Sequence, residues 1–375
     1  MRTSRWAALF ASAAMVFAAC GGGNPSTAPT AGPPTTTPTE AASNTPTVAP
    51  IDFKACMVSD TGGIDDHAFN ENAWKGMTDA QATLGVQVKF LESTTEADYA
   101  KNLNQFVSEG CDMIVTVGFL LGDATKAAAT ANPNVRFAIV DFAYTPALPN
   151  VEGLVYSTNE GAMLAGYASA SWSKSHVLGT FGGINIGGPV TDFMDGLVAG
   201  AHYYDSKHSG TKTTVLGWDP VAKTGSFTGD FTSIDNGKTL SLGFLDENAD
   251  VLMGVGGPIG QGVFAAIEER KLQGKAVGLG VDVDWYLSVP QYKADILTSI
   301  LKKIDVSVTA AVEHAVKKVA AQPVFVSTLA NGGVGLAEFH DYDSQITADT
   351  KTELDALKAG IIDGSIKVAD YFAAK

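Results

Sequence analysis

Residues 58–76, VSDTGGIDDHAFNENAWKG, constrain the fold of this chain more than any other stretch. They continue an apolar run over residues 53–58, which predicts a buried strand. Gly62 and Gly63 then predict a tight turn, and apolar positions at helical spacing predict a helix from Asp66 onward. A strand, a glycine turn and a helix form the first half of a βαβ unit, so the sequence predicts an α/β fold.

The turn after this strand is expected to form part of a ligand-binding site. Open α/β sheets bind their ligands outside the carboxyl ends of the strands. The polar and aromatic candidates at this position are Asp60, Asp65, Asp66, Phe69, Asn70 and Trp74.

Strand and helix signals alternate along the rest of the chain, and the length beyond residue 50 suits two lobes better than one core. Further strands are predicted over residues 87–91, 113–117, 136–140, 151–156, 177–181, 213–217, 251–255 and 276–281. Helices are predicted over residues 66–84, 96–109, 122–131, 160–173, 189–202, 233–248, 260–271, 305–321 and 350–361.

The first 50 residues have the composition of a targeting segment followed by a tether. Two arginines, a short apolar run and small residues before Cys20 are typical of a bacterial lipoprotein signal peptide over residues 1–19. Cys20 would then be the lipidated first residue of the mature protein; an ordinary secreted protein with a chance cysteine is the alternative. Residues 20–50 are rich in proline and threonine and predict a tether without a core.

Charge and motifs argue against several classes of function. The net charge is −15, and the few lysines and arginines are not clustered, which argues against nucleic-acid binding. The six histidines show no metal-binding spacing and no Gly-x-Ser-x-Gly motif is present, so we expect no metal, no cofactor and no enzymatic activity. A surface hydrolase acting on a nucleoside or a sugar is the alternative.

Two further cysteines leave two alternatives open. Cys56 lies in the first predicted strand, and Cys111 just precedes the strand at residues 113–117. Outside the cell the pair could form a disulfide if the two strands are neighbours. Otherwise they are buried thiols that act as small apolar side chains.

Several short motifs follow the opening stretch in a fixed order. They are residues 117–120 (VGFL), 137–141 (FAIVD), 160–167 (EGAMLAGY), 280–284 (GVDVD), 298–303 (TSILKK) and 331–336 (NGGVGL). Together with residues 58–76, and over about residues 53–345, they resemble the basic membrane protein family. This family comprises lipoprotein solute-binding components of ABC transporters, many of them for purine nucleosides.

The resemblance implies a two-lobed, type I periplasmic-binding-protein fold. Each lobe is a mostly parallel sheet flanked by helices, and closure buries a small solute in the cleft between them. We expect chain crossings near residues 159, 283 and 322. The first lobe would then comprise residues 51–158 and 284–322, and the second lobe residues 159–283 and 323–375.

The resemblance also implies a function and a location. The chain would be a monomeric receptor, anchored by lipid to the outer face of the cytoplasmic membrane, that delivers a purine nucleoside to an ABC permease. A receptor for a ribose-type sugar is the alternative within this class, because sugar receptors also use aspartates and aromatic residues.

Two aromatic residues match the positions that stack on the base in the family. Trp74 lies in the first helix and Phe231 in the loop at residues 223–235. Trp74 could instead pack on the core face of its helix. The loop around Phe231 departs from the family pattern, so Phe227 competes with Phe231 for the stacking role.

A carboxylate and an ammonium match the residues that contact the ribose in the family. Asp282 ends a predicted strand and would accept hydrogen bonds from the ribose hydroxyls; a plain turn residue is the alternative. Lys302 would donate to the same region. Its neighbour Lys303 is expected to face solvent, because adjacent residues of a helix do not share a face.

The adjacent carboxylates Asp65 and Asp66 need different roles. One is expected to cap the first helix and the other to face the ligand, and we favour Asp66 for the cap and Asp65 for the ligand. Glycines let the backbone approach a solute closely. The remaining candidates for the site are Asn70, Gly118, Asp141, Gly256 and Gly257.

Overall fold

A computed structural model describes residues 48–374 of the chain. The predicted signal peptide at residues 1–19, the lipidation site Cys20 and nearly all of the tether at residues 20–50 lie outside the described residues. Within the described part, no helix is both long enough and apolar enough to cross a membrane.

The strands of residues 48–374 follow the predicted runs closely and add several short ones. They are Lys54–Val58 (β1), Gln87–Leu91 (β2), Met113–Val117 (β3), Arg136–Val140 (β4), Val151–Tyr156 (β5), Val177–Gly182 (β6), Thr214–Leu216 (β7), Trp218–Asp219 (β8), Thr224–Gly225 (β9), Val251–Val255 (β10), Val277–Asp282 (β11), Ile296–Lys302 (β12), Val324–Ser327 (β13) and Val334–Leu336 (β14).

The helices alternate with these strands. They are Phe69–Leu84 (α1), Ala97–Ser108 (α2), Gly122–Ala131 (α3), Thr158–Trp172 (α4), Gly188–Lys207 (α5), Ile234–Asp246 (α6), Gln261–Arg270 (α7), Trp285–Ser288 (α8), Ile304–Val316 (α9) and Ala348–Ile362 (α10). Short 3-10 turns follow β3 and β10, at Phe119–Leu121 and Gly257–Gly260.

Two six-stranded sheets organise the chain into two lobes. The first has the order β13-β5-β4-β3-β1-β2, and all of its strands are parallel. The second has the order β14-β12-β11-β10-β6-β7 and is parallel except for the antiparallel strand β14. The predicted α/β class, with two mostly parallel sheets flanked by helices, is confirmed.

Close helix packing depends on small residues at two contacts. At Gly76, where α1 meets α9, an added Cβ would lie 2.6 Å from the backbone oxygen of Asp305. At Gly200, where α5 meets α4, it would lie 2.2 Å from the oxygen of Met163. Any side chain at these positions would push the paired helices apart.

The disulfide alternative is the one that the structure contains. Strands β1 and β3 are parallel neighbours, and Cys56 is bonded to Cys111 across a Cα–Cα distance of 6.1 Å. The bond therefore joins β1 to the residues just before β3, within the first lobe.

The sheet order corrects the expected lobe boundaries in two places. Strand β12 pairs with β11 in the second sheet, although we expected residues 284–322 in the first lobe. Strand β13 pairs with β5 in the first sheet, although we expected residues 323–375 in the second lobe. The chain therefore crosses at Lys303 and again between β13 and β14. Neither strand was predicted, and the residues of a strand do not by themselves specify which sheet it joins.

Candidate ligand-binding site

A cavity lies between the two lobes, at the carboxyl ends of both sheets. The space between its lining atoms, counted together with the open solvent at its mouth, is about 540 Å³. Its lining residues are Asp60, Gly62, Asp66, Phe69, Asn70, Gly118, Phe119, Leu120 and Asp141 from the first lobe, and Ile186, Pro189, Val190, Phe193, Phe231, Val255, Gly256, Gly257, Asp282 and Lys302 from the second.

On the first-lobe side, two buried aspartates are held by groups of the turn between β1 and α1. Asp60 Oδ1 accepts hydrogen bonds from the backbone N–H of Gly62 at 3.0 Å and from Asn70 Nδ2 at 2.8 Å. The carboxylate of Asp66 accepts from the backbone N–H groups of Ala68, Asn70 and Glu71, at 3.0, 2.8 and 3.1 Å. Asp66 thus satisfies free donors at the start of α1, as expected of a cap, although the N-cap position itself is occupied by Ala68.

On the second-lobe side, Lys302 is the central charge. Its Nζ donates to Asp141 Oδ2 at 2.6 Å, which joins the end of β12 in one lobe to the end of β4 in the other. The same Nζ lies 4.0 Å from Asp282 Oδ1. It also lies 4.8 Å from the ring centroid of Phe69 and 4.9 Å from that of Tyr156, within the range of cation–π attraction.

One oxygen of this cluster has no donor. Asp282 is 4% exposed, and no group among residues 48–374 donates a hydrogen bond to its Oδ1. The 4.0 Å separation from Lys302 Nζ is too long for a hydrogen bond. A buried carboxylate oxygen without a donor is costly, so this atom is suited to accept a hydrogen bond from a ligand.

Burial raises the pKa values of the cavity carboxyls. It raises the pKa of Asp282 to about 6, although the charge of Lys302 acts in the opposite direction. It raises the pKa of Asp66 to about 7 against the effect of the three backbone donors. The pKa values of Asp60 and Asp141 are also raised by desolvation. Donors brought by a ligand would favour the ionised carboxylates and lower these pKa values.

The rest of the lining is mostly aromatic and aliphatic. Phe69 begins α1, and Phe119 follows β3 in a short 3-10 turn. Phe193 lies in the second turn of α5, and Phe231 lies in the loop before α6. The cavity therefore combines a carboxylate–ammonium part with a ring-lined part, which suits a ligand that has hydroxyl groups and a planar apolar face.

Most of the predicted site residues line this cavity. They are Asp66, Asn70, Gly118, Asp141, Phe231, Gly256, Gly257, Asp282 and Lys302. Lys302 lies at the end of a strand and not on a helix. Its side chain is buried, whereas that of Lys303, the next residue, is half-buried, as expected where successive side chains of an extended chain point in opposite directions.

Three predicted residues lie elsewhere. Asp65 is exposed and is not among the lining residues. Trp74 packs edge-on against Phe90 at a centroid distance of 4.8 Å and lines a separate groove. Phe227 packs against Trp218 at 6.0 Å.

Trp74 misses the cavity because of helical geometry. The helix begins at Phe69, which faces the cavity, and five residues advance the helix by about 500°, or about 140° around the axis. Trp74 therefore lies on a different face, against the neighbouring strand. The core-packing alternative for Trp74 is the correct one.

Several lining residues were not predicted. Phe119 and Leu120 belong to the motif at residues 117–120, so this motif could have identified them as lining residues. Apolar lining residues of the second lobe resemble ordinary core residues in the sequence, so nothing local identifies them. They are Ile186, Pro189, Val190, Phe193 and Val255.

The chain is similar to known proteins over most of its length. The model of one protein family, described as PnrA-like substrate-binding proteins of ABC transporters, matches residues 53–370. The nucleoside-binding protein BmpA of an ABC transporter from Lactococcus lactis is 30% identical over 344 residues, covering 87% of this chain and 92% of the relative. Basic membrane protein A of Borreliella burgdorferi is 28% identical over 255 residues, covering 67% of this chain and 68% of the relative.

Solved structures show the same architecture. A solute-binding protein of an ABC transporter system from Aeropyrum pernix superposes with a TM-score of 0.74 at 26% identity, covering 84% of this chain and 92% of that one. A second solute-binding protein, from Conexibacter woesei, gives a TM-score of 0.64 at 20% identity, with 84% and 98% coverage. The second likeness concerns the fold alone.

Proposed function

This chain belongs to the PnrA-like family of ABC-transporter substrate-binding proteins, and from that premise we propose that it is a receptor for a purine nucleoside. It binds the nucleoside between its two lobes and delivers it to the permease of an ABC importer. It works as a monomer at the outer face of the cytoplasmic membrane, anchored through lipid on Cys20. It is a receptor and not an enzyme.

The observation that carries this proposal concerns Asp282 Oδ1, which lies beside Lys302 and is a buried acceptor with no hydrogen-bond donor among residues 48–374. The vicinal hydroxyls of a ribose supply two donors that a single carboxylate can accept. An ammonium 4.0 Å away can donate to the oxygens of the same sugar. We therefore assign the ribose to the part of the cavity around Asp282 and Lys302.

The ring-lined part of the cavity suits the base. Rings such as Phe69 and Phe231 offer apolar faces to a planar heterocycle, and stacking on aromatic side chains tolerates any base. Asn70 Oδ1 is buried and has no donor among residues 48–374, so it can accept from an N–H group of the base. The Lactococcus relative is named a nucleoside-binding protein, which supports the same ligand class.

A ribose-type sugar is the second candidate, favoured by the buried carboxylates. A free sugar would use the acceptor at Asp282 but leave much of the ring-lined part unfilled. Titration calorimetry with inosine, guanosine, cytidine and ribose tests the assignment. We expect purine nucleosides to bind and ribose to bind far more weakly. Ribose binding as tight as that of inosine or guanosine would remove the argument from base stacking.

The receptor and hydrolase alternatives are separated by recovering the ligand. The protein is incubated with a nucleoside, and the complex is analysed by native mass spectrometry. A receptor returns the intact nucleoside in one-to-one complex, whereas a hydrolase returns free base and ribose.

Anchoring through Cys20 is tested by substitution. Cys20→Ser in the full chain should release the protein from membranes, because no thiol is left to carry lipid. Unchanged membrane retention of the variant would contradict the lipoprotein assignment.

A further inference from the structure

We propose that Gly183 and Gly256 are positioning residues that set the depth of the Phe231 ring in the cavity. The two glycines follow β6 and β10, which are neighbouring strands of the second sheet. The position of the ring sets the width of the gap between the two sides of the cavity. That this gap receives a planar base rests on the proposed function.

Both glycines lie against the same edge of the Phe231 ring. A Cβ added at Gly183 would lie 2.3 Å from Cδ1 and 2.5 Å from Cε1 of that ring. A Cβ added at Gly256 would lie 2.6 and 2.9 Å from the same two atoms. The ring therefore rests on two backbone segments at a distance that only glycine permits.

The backbone beneath the ring is fixed by its own hydrogen bonds. The N–H of Gly183 donates to Val255 O at 2.9 Å, and the N–H of Gly229 donates to Gly183 O at 2.9 Å. The loop that carries Phe231 is also held, because Asp230 Oδ1 accepts from the N–H groups of Thr232 and Ser233 at 2.7 and 2.6 Å. With both sides fixed, a side chain added at residue 183 must displace the ring.

The two glycines can be distinguished by their backbone. Gly256 has φ +129°, a conformation that favours glycine whatever its neighbours, so a substitution there would also strain the chain. Gly183 is not among the residues with positive φ, so contacts alone exclude a side chain there. These contacts are with the Phe231 ring and, at 2.7 Å from the added Cβ, with the backbone oxygen of Asp230. Gly183 is therefore the better position for a test, provided that the Phe231 part is separated from the Asp230 part.

A methyl group at Gly183 would move the ring by about 1 Å or more, since carbon atoms in contact lie about 3.5–4.0 Å apart. Phe231 lines the second-lobe side of the cavity, and Phe69 and Phe119 line the first-lobe side. Moving Phe231 changes the gap between these surfaces. A planar base depends on that gap, whereas a sugar held mainly by Asp282 and Lys302 depends on it less.

The test is a double-mutant cycle of Gly183→Ala with Phe231→Ala, read by calorimetry with inosine or guanosine. Gly183→Ala should weaken nucleoside binding by at least about tenfold, as expected for disturbed base stacking, when Phe231 is present. Its effect should be several-fold smaller in the Phe231→Ala background, where no ring remains to be displaced and only the contact with the Asp230 oxygen is left. Equal losses in the two backgrounds would overturn the proposal.

The same cycle is read by thermal denaturation without any ligand. Gly183→Ala should lower Tm in the presence of Phe231, and Phe231→Ala should relieve that defect. The absence of coupling in Tm between the two changes overturns the proposal. Gly243→Ala is the matched control, because Gly243 is an exposed helical glycine with open space around its added Cβ.

The two proposals can fail separately. If the unmodified protein binds no nucleoside, the proposed function fails, while coupling in Tm still decides whether Gly183 positions the ring. If the unmodified protein binds nucleosides and neither readout shows coupling, only the positioning role fails.

Discussion

Asp141 and Asp282 occupy matching places in the two lobes but have different surroundings. Asp141 follows β4, which lies between β3 and β5, and Asp282 ends β11, which lies between β10 and β12. Both have left-handed backbones, with φ of 66° and 69°, which are uncommon for residues other than glycine. Asp141 accepts from Lys302 at 2.6 Å, whereas Asp282 Oδ1 has no donor among the described residues.

The difference lies in what each carboxylate is paired with. Lys302 ends β12, the strand next to that of Asp282, yet its ammonium bonds the aspartate of the opposite lobe. One carboxylate is therefore used in an ion pair between the lobes, and the other remains available to a ligand. Matching backbone positions therefore do not imply matching functions. The ammonium of Lys302 decides which of the two carboxylates has an ion-pair partner.

The largest expected effect comes from replacing Lys302, whose charge is paired with Asp141 and not with Asp282. Lys302→Met should lower the free energy of unfolding by about 3–5 kcal/mol, because it leaves Asp141 buried without its partner. Nucleoside binding should be lost as well. Denaturant unfolding and calorimetry measure the two effects.

Two controls sharpen the Lys302 experiment. Lys302→Met combined with Asp141→Asn should recover much of the stability but not the binding, because the unpaired charge is then gone. Lys303→Met should change stability by no more than about 0.5 kcal/mol, since no ion pair of Lys303 is present among the described residues. Full stability of Lys302→Met would contradict the role of the interlobe ion pair.

The next effect concerns affinity alone. Asp282→Ala should weaken nucleoside binding by about tenfold to a hundredfold or more, because hydrogen bonds to a charged group contribute roughly 1.5–3 kcal/mol each. Tm should stay nearly intact, because Asp282 Oδ1 makes no hydrogen bond within the described protein. Asp282→Asn keeps the shape and separates charge from packing. Unchanged affinity in both variants would assign the ribose elsewhere.

Asp66 should show the opposite pattern to Asp282. Asp66→Ala should lower the free energy of unfolding by roughly 0.5–2 kcal/mol, because it removes the acceptor of three backbone N–H groups. Its effect on affinity should be smaller than that of Asp282→Ala. The exposed neighbour provides the control, since Asp65→Ala should change neither quantity. Binding abolished by Asp66→Ala at unchanged stability would reverse this assignment.

The smallest effect is a dependence on pH. The nucleoside hydroxyls require ionised Asp282, whose pKa is about 6 in the free protein, so affinity should fall about tenfold between pH 7 and pH 5. Calorimetry in buffers of different ionisation enthalpy should detect proton release on binding near pH 6. Asp282→Asn should remove this part of the pH dependence; a variant with an unchanged profile would assign it to another group.

In the free protein the same group acts on stability with the opposite sign. Its pKa is raised by burial from the ordinary value of 3.8 to about 6, so the folded state holds this proton more tightly than the unfolded chain. Its contribution to stability therefore increases as pH falls from about 6 to about 4. Lower pH then weakens ligand binding while this group favours the folded state.

The sequence predicts those parts of the fold that depend on local patterns. Strand β3 was predicted with its observed bounds, because a run of five apolar or β-branched residues allows little else. Asp141 and Asp282 were identified because they directly follow such runs. Asp66 was correctly chosen as the acceptor at the start of α1, because a carboxylate is a common partner for free N–H groups at a helix start.

The remaining features depend on distant parts of the chain. Trp74 was misplaced because the face of α1 that meets the cavity is set by how the helix packs on the first sheet, and the sequence alone does not show this. Lys302 was placed on a helix because nothing local shows that residues 296–302 pair with β11. The contact of Phe231 with Gly183 joins residues 48 positions apart, and no local pattern reveals it.

The position of Lys302 beside the chain crossing has a consequence for kinetics. Lys302 is the last residue of β12, and Lys303 begins the crossing to the first lobe. Strands β10 and β6, beneath Phe231, lie two and three strands from β12, or about 10 and 14 Å away. When the lobes rotate apart about this crossing, the Lys302 ammonium lies close to the rotation axis and moves little. The Phe231 ring lies farther from the axis and moves more. We therefore expect the polar part to stay assembled when a ligand arrives, and Phe231 to close last and leave first. Substitutions at Phe231 should therefore shorten the dwell time of the ligand more than they slow its association.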